Sequence, residues 1–204
     1  YLSKGGQILV SIHNNKYCAN VSNEGKVSLS ENIEDCSSGI TSVPSECFLV
    51  KTENLKKSYE GADIDNKEWM NKEYNMLYYD YENPNCPTNI DTLMIPNEVN
   101  GEKVNGIGYA VFYKWDSNTK IERIKQVIIP EGIEVINNAA FSAIELNDVV
   151  LPEGLIYLGY QAFGYNNLTS IQIPESLEVI GGNVFTHNQI TRAEIPNNVE
   201  YIGS

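Results

Sequence analysis

Few side chains in this sequence could do chemistry. Four cysteines, Cys18, Cys36, Cys47 and Cys86, stand in the first half of the chain, none of them in a C-x-x-C pair. Only two histidines occur, His13 and His187, far apart in sequence, so the ligand spacing of a zinc site is missing. The cysteines therefore read as disulfides, which persist in an oxidising compartment. Four cysteines allow three connectivities. Cys18–Cys36 and Cys47–Cys86 are favoured because each closes a local unit, and loops of that size stabilise by roughly 3–4 kcal/mol apiece in the chain-entropy model. Thiol catalysis would need one cysteine free beside His13 or His187, yet both histidines sit in turn-like sequence, HNN and THN, and read as solvated loop residues. The run DIDNKE (Asp63–Glu68) lacks the glycine and distal glutamate of an EF-hand loop and reads as a solvated acidic loop. No G-x-S-x-G elbow, P-loop, H-E-x-x-H or G-x-G-x-x-G occurs. The expectation is no catalytic residue, no metal, no cofactor and no enzymatic activity. Asn20-Val-Ser and Asn167-Leu-Thr match the glycosylation acceptor pattern, which matters only in a eukaryotic secretory pathway.

With catalysis set aside, what remains is surface, and a repeat positions it. Pro130, Pro152, Pro174 and Pro196 are 22 residues apart, each preceded by an apolar residue and followed six residues later by Ile136, Leu158, Ile180 or Ile202. Five residues beyond the first three of these stand Phe141, Phe163 and Phe185. A period in the twenties predicts a solenoid, each repeat one supersecondary unit stacked on the next. In the copy from Leu168 to Phe185, Leu168, Ile171 and Ile173 point inward and Gln172 outward. Pro174 has no N–H for a ladder and ends the strand. Leu177, Ile180 and Phe185 return across the back, with Gly181 and Gly182 expected to allow the bend. One repeat buries too few apolar side chains to offset the ordering of its backbone, so stacking is obligatory.

The pattern L-x-x-I-x-I-P-x-x-(L/V)-x-x-I-G-x-x-x-F, read in LTSIQIPESLEVIGGNVF and IKQVIIPEGIEVINNAAF, closely resembles the BspA-type bacterial leucine-rich repeat. A longer copy, IDTLMIPNEVNGEKVNGIGYAVF (Ile90 to Phe112), is similar to the first repeat of that family, with NGEKV inserted before Ile107-Gly108. Seven further extra residues fall between Phe112 and Pro130, so YKWDSNTKIER is expected to bulge as a loop. The last copy stops after Ile202-Gly203, before its phenylalanine, and reads as a fifth repeat left incomplete. The resemblance spans about 115 of the 204 residues and implies cell-surface attachment.

The residues two and four before each proline should face outward on the strand ladder: Thr92 and Met94, Gln126 and Ile128, Asp148 and Val150, Ser170 and Gln172, Arg192 and Glu194. They make the candidate binding face, with Met94, Ile128 and Val150 as an apolar patch for a protein partner or for the N-terminal part of the chain. Alternatively, such residues stand there only because β-propensity favours them on a ladder. Tyr157, Tyr160 and Tyr165, with Tyr109, Tyr113 and Trp115, could build an aromatic contact for glycan or protein, though some must be core.

Upstream, Ile8, Val10 and Ile12, then Tyr17, Ala19 and Val21, then Val27 and Leu29 alternate with polar residues between turn signals, predicting a three-stranded antiparallel meander. GQILVSIHNNKYCANVSNEGKVSLSENIEDC resembles the sheet of the globular part of Gram-positive type IV pilin-like proteins, with their G-x-(I/V)-x-V and KYCA strands. The apolar helix and prepilin site of such proteins are not in this sequence, which opens on Tyr1 and reads as a mature or trimmed product. CFLV reads as a strand. The following polar stretch has weak helical periodicity through Trp69, Met70 and Tyr74, and LYYDYENPNCP is an aromatic strand ending in a turn.

The expected fold is mainly β: a small disulfide-stapled antiparallel domain (1–46), a disulfide-closed segment capping the first repeat (47–89), and a leucine-rich-repeat solenoid (90–204) of about five repeats. A net charge of -13 and a pI near 4.5 argue against nucleic acid and anionic membrane as partners. No apolar run reaches membrane-spanning length. The expected function is an extracellular adhesion or binding module contacting a host or neighbouring-cell protein or glycan, displayed at the cell surface or on a pilus-like filament. The alternative is a pilin-like structural subunit that contacts other pilin subunits.

Overall fold

The computed structural model describes residues 43–55, 67–114 and 121–204 in full, and the backbone of residues 7–12, 15–21 and 27–30. The chain divides into two compact units, Tyr1–Thr41 and Ser42–Ser204. In the first, strands β1 (Gln7–Ile12), β2 (Asn15–Val21) and β3 (Val27–Ser30) form an antiparallel sheet in sequence order. Its register sets Ile8 opposite Ala19, Ala19 opposite Leu29, and Val21 opposite Val27. The apolar positions of the three period-two patterns thus share one side of the sheet. The Cys18–Cys36 pairing, His13 and Asp63–Asn66 lie outside the described residues.

The second unit holds β4 (Phe48–Asn54), β5 (Glu73–Tyr79), β6 (Asn89–Met94), β7 (Glu98–Val99), β8 (Glu102–Lys103), β9 (Gly106–Ile107), β10 (Arg123–Ile128), β11 (Val135–Ile136), β12 (Asp148–Val150), β13 (Tyr157–Leu158), β14 (Val179–Ile180) and β15 (Tyr201–Ile202). Two parallel ladders emerge from the repeats. The front ladder runs β6, β10, β12, formed by the segments before each proline. The lateral ladder runs β9, β11, β13, β14, β15, formed by the two-residue segments ending at Ile107, Ile136, Leu158, Ile180 and Ile202.

Between the ladders lies the main core. Ile90, Ile124, Leu146 and Leu168 are fully buried in one column, and Ile107, Ile136, Leu158 and Ile180 are buried facing them. The repeated phenylalanine stacks on itself: ring centroids are 5.3 Å apart for Phe112–Phe141, 5.3 Å for Phe141–Phe163 and 6.0 Å for Phe163–Phe185. Each phenylalanine therefore fills the gap that its neighbour in the next turn would otherwise leave.

Glycine plays a different role from the one expected. The left-handed positions two before and two after Phe141, Phe163 and Phe185 are Ala139, Gln161 and Asn183, and Ala143, Tyr165 and His187; Ala110 stands likewise two before Phe112. Gly181 is needed for close approach instead: a Cβ there would lie 2.8 Å from the carbonyl carbon of Gly159 and the nitrogen of Tyr160 in the preceding turn. The NGEKV insertion forms the β7–β8 hairpin, whose Asn100 (φ 52°) and Gly101 (φ 86°) have the two left-handed central residues of a type I′ turn. Most of the expected YKWDSNTKIER bulge, residues 115–120, lies outside the described residues. Its end is ordered into the core through Ile121.

Between Lys67 and Tyr79 the period through Trp69, Met70 and Tyr74 yields no α-helix. It yields a 3-10 turn at Glu68–Asn71, followed by β5. The edge of β9 offers backbone partners that an isolated polar segment lacks, and β5 takes them in parallel, Met76 opposite Gly106 and Leu77 opposite Ile107. β4 then pairs antiparallel with β5. Cys47 and Cys86 are disulfide-bonded, Cα–Cα 5.5 Å, tying the start of β4 to the turn after β5.

Candidate binding face

The front ladder carries two outward rows set by register. Thr92, Gln126 and Asp148 form one, Met94, Ile128 and Val150 the other. The polar row is linked along its length: Thr92 Oγ1 donates to Gln126 Oε1 (3.3 Å), and Gln126 Nε2 donates to Asp148 Oδ2 (3.0 Å). In the apolar row Met94 and Ile128 are half-buried and Val150 is 45% exposed. An ion-pair cluster bounds the far side. Lys125 Nζ lies 2.8 Å from Asp91 and Arg123 Nη2 3.7 Å from it, while Arg123 Nε donates to Asn89 (2.8 Å). The hydrogen bond from Lys125, with its charge, holds the Asp91 carboxyl below its ordinary range. The arrangement is an apolar stripe edged by satisfied polar groups, which suits a protein surface.

The remaining four residues of the expected face do not continue the ladder. Residues 170–173 and 192–195 form no strand, and Ser170, Gln172, Arg192 and Glu194 are exposed. Arg192 Nη2 instead reaches Glu194 in its own segment (2.8 Å). Ala193 stands where Val127, Val149 and Ile171 stand in earlier turns and has too little apolar surface to draw the segment inward. A groove of about 550 Å³ opens between these two segments.

Of the aromatic candidates, Tyr109, Tyr160 and Tyr165 are 58%, 45% and 38% exposed, and Tyr165 stacks on His187 at 4.3 Å. Thr186 Oγ1 is 3.1 Å from His187 Nδ1. Tyr157 is buried and Tyr113 half-buried, while Trp115 lies outside the described residues.

The lateral ladder is covered by the chain itself, a feature that the sequence reading missed. Val135, Tyr157 and Val179 face away from the main core but are buried against Leu55, Met70, Tyr74 and Met76, with Trp69 5.7 Å from Tyr157. Charges fasten the covering segment: Lys67 Nζ meets Glu200 at 2.6 Å and Glu178 at 3.1 Å, Lys72 meets Glu134 at 2.5 Å, and Trp69 Nε1 donates to Glu178 (3.0 Å). Glu134, Glu178 and Glu200 stand at steps of 22 or 44 residues, a spacing that could have signalled the contact. The hydrogen bonds to Glu200 and Glu178 raise the Lys67 pKa. Burial raises Tyr74 and Tyr78, the latter also donating to Glu53 (2.7 Å), and pushes Tyr79 up to about 12.

A second missed pair is Asn166 and Asn188, also 22 apart. Asn166 Oδ1 accepts from the backbone of Ile144 (3.1 Å) and Leu146 (3.0 Å), and its Nδ2 donates to the carbonyl of Phe141 (2.7 Å). Asn188 repeats this with Leu168 and Phe163. Each closes the backbone groups that the turn after a phenylalanine leaves inside.

Residues 118–204 match the family model of the BspA type leucine rich repeat region (6 copies). This part of the chain is a BspA-type leucine-rich repeat region. The same two ladders and the same phenylalanine stack extend upstream of the match, through β6, β9 and Phe112. No curated protein matches the chain. The BspA-type match suggests a protein-binding or adhesion-type module. Among the described residues no helix is long and apolar enough to cross a membrane.

Proposed function

We propose that this chain is an extracellular adhesion module whose front ladder contacts a protein on a host or neighbouring cell. The observation that carries the proposal is the contrast in cover. The lateral ladder's apolar residues are buried by the 67–76 segment, whereas Val150 at the end of the front apolar row is 45% exposed beside half-buried Ile128 and Met94. An apolar stripe within a satisfied polar border is the composition of an interface core and rim. The buried Cys47–Cys86 disulfide supports secretion into an oxidising compartment. The protein acts by binding alone, without catalytic chemistry or cofactor.

The test is adhesion of beads coated with the 204-residue chain to host-cell and bacterial-cell monolayers. The wild-type chain should adhere saturably, and Met94→Asp/Ile128→Asp/Val150→Asp should lose at least tenfold. Full adhesion by the triple variant would contradict the proposal.

Display on a pilus-like filament, or service as a pilin-like subunit, is a second reading favoured by the β1–β3 meander with its one-sided apolar register. Immunogold labelling of source cells separates the two. Gold along thin filaments supports filament display; gold spread over the envelope leaves a surface or secreted adhesin.

A further inference from the structure

The front face changes character at its last two turns. There the lateral ladder stays paired, Tyr157 with Val179 and Val179 with Tyr201, while the front segments 170–173 and 192–195 do not. The Phe163–Phe185 spacing of 6.0 Å, against 5.3 Å in earlier turns, follows the same divergence. The pairing lapses over these segments alone, since the Gln189 amide still donates to the Leu168 carbonyl (2.8 Å) and Asn198 Nδ2 to the Glu175 carbonyl (2.8 Å), and the groove of about 550 Å³ occupies the gap between them. That volume lies within the roughly 300–1,000 Å³ of ligand sites.

Three properties of its walls point to one kind of occupant. Among the described residues, no backbone N–H or carbonyl of 170–173 or 192–195 pairs with other backbone, so both walls present free donors and acceptors. Ile171, Ile173 and Ile195 line the groove, and Ile195 is 48% exposed. Glu175 and Glu194 outnumber Arg192, which is already paired with Glu194.

We infer that this groove binds an extended peptide of alternating apolar and basic residues, by strand addition. Its amides pair with the unpaired backbone of the walls, alternate apolar side chains pack on Ile171, Ile173 and Ile195, and the basic ones meet Glu175 and Glu194. The inference rests on the front face being the binding face and names the chemistry that its C-terminal half takes.

The test is fluorescence anisotropy of a labelled, end-blocked hexapeptide of alternating valine and lysine with the 204-residue chain. Saturable binding is expected, at least tenfold weaker for the valine–glutamate peptide. N-methylation at alternate residues should cut affinity at least tenfold in either parity, because a strand presents alternate amides to each side and each side faces an unpaired wall. Ile195→Arg, at an exposed position that leaves the core intact, should also cost at least tenfold. Absence of saturable binding, binding that survives either methylation pattern, or an unchanged Ile195→Arg would overturn the inference. Met94→Asp/Ile128→Asp/Val150→Asp should bind the peptide as wild type does. Failure of the adhesion reading therefore shows in the cell assay, and failure of the groove shows here.

Discussion

The two ladders come from the same repeats, yet one is covered and the other is open. On the lateral ladder the outward column Val135, Tyr157, Val179 is buried beneath Met70, Tyr74 and Met76, and a glutamate column beside it is taken by Lys67 and Lys72. On the front ladder the polar row is hydrogen-bonded along itself, and among the described residues Val150 is 45% exposed. A stacked repeat shows apolar surface on whichever side its strands pair. Among the described residues, the cover supplied by Leu55, Met70, Tyr74 and Met76 lies on the lateral side.

Removing the cover should have the largest effect. Tyr74, in the covering segment, is fully buried against the ladder, so Tyr74→Ala should cost about 3–5 kcal/mol in urea unfolding. The corresponding change on the front, Ile128→Ala, should cost about 1 kcal/mol or less, since Ile128 is half-buried. Equal costs would erase the distinction between the ladders. Next in size is the Cys47–Cys86 bond, whose removal by Cys86→Ala should cost about 2–4 kcal/mol. Hydrogen exchange should then quicken in β4 and β5 before it does in β10 and β12.

Alkaline pH should attack the same side. Burial raises the pKa of Tyr74 and Tyr78 and pushes Tyr79 to about 12, so the folded state holds protons that the unfolded chain releases near pH 10. A raised folded pKa means stability that is complete below the unfolded value and is lost as pH rises toward the folded one. Circular dichroism should therefore show stability constant to about pH 10 and falling between about 10 and 12. The smallest effect belongs to Lys67, a partly exposed ion pair: Lys67→Met should cost at most about 1 kcal/mol and less in high salt.

Much of the front ladder was legible in the sequence. The proline spacing set its register, and the strand partners of Thr92, Gln126 and Asp148 are those the period implies. The phenylalanine column was legible for the same reason, because a fixed period places equivalent residues on top of each other. What the period could not show is what happens between turns. Gly181 looked like a bend residue, but its requirement comes from the backbone of the turn beneath it, a distance invisible along the chain. Asn166 and Asn188 carried no signal in the sequence beyond their 22-residue spacing, because both sit over backbone donors that only folding brings together. Trp69, Met70 and Tyr74 hinted at a helix because apolar spacing in a short polar stretch is ambiguous, and the edge of β9 decided for a strand. The lost pairing at 192–195 had a sequence signal, Ala193 in a column of branched residues, whose weight is plain only beside the open groove.

The comparison can be tested directly because the chain has three methionines, one on the front ladder and two on the buried face of the lateral cover. Met94 is half-buried, whereas Met70 and Met76 are 2% and 0% exposed. Limited oxidation by hydrogen peroxide, read peptide by peptide in a mass spectrometer, should convert Met94 to the sulfoxide first, with Met70 and Met76 protected until the fold opens. Oxidation of Met70 and Met76 as fast as Met94, or protection of Met94 in the native chain, would contradict the account of a covered lateral ladder and an open front one.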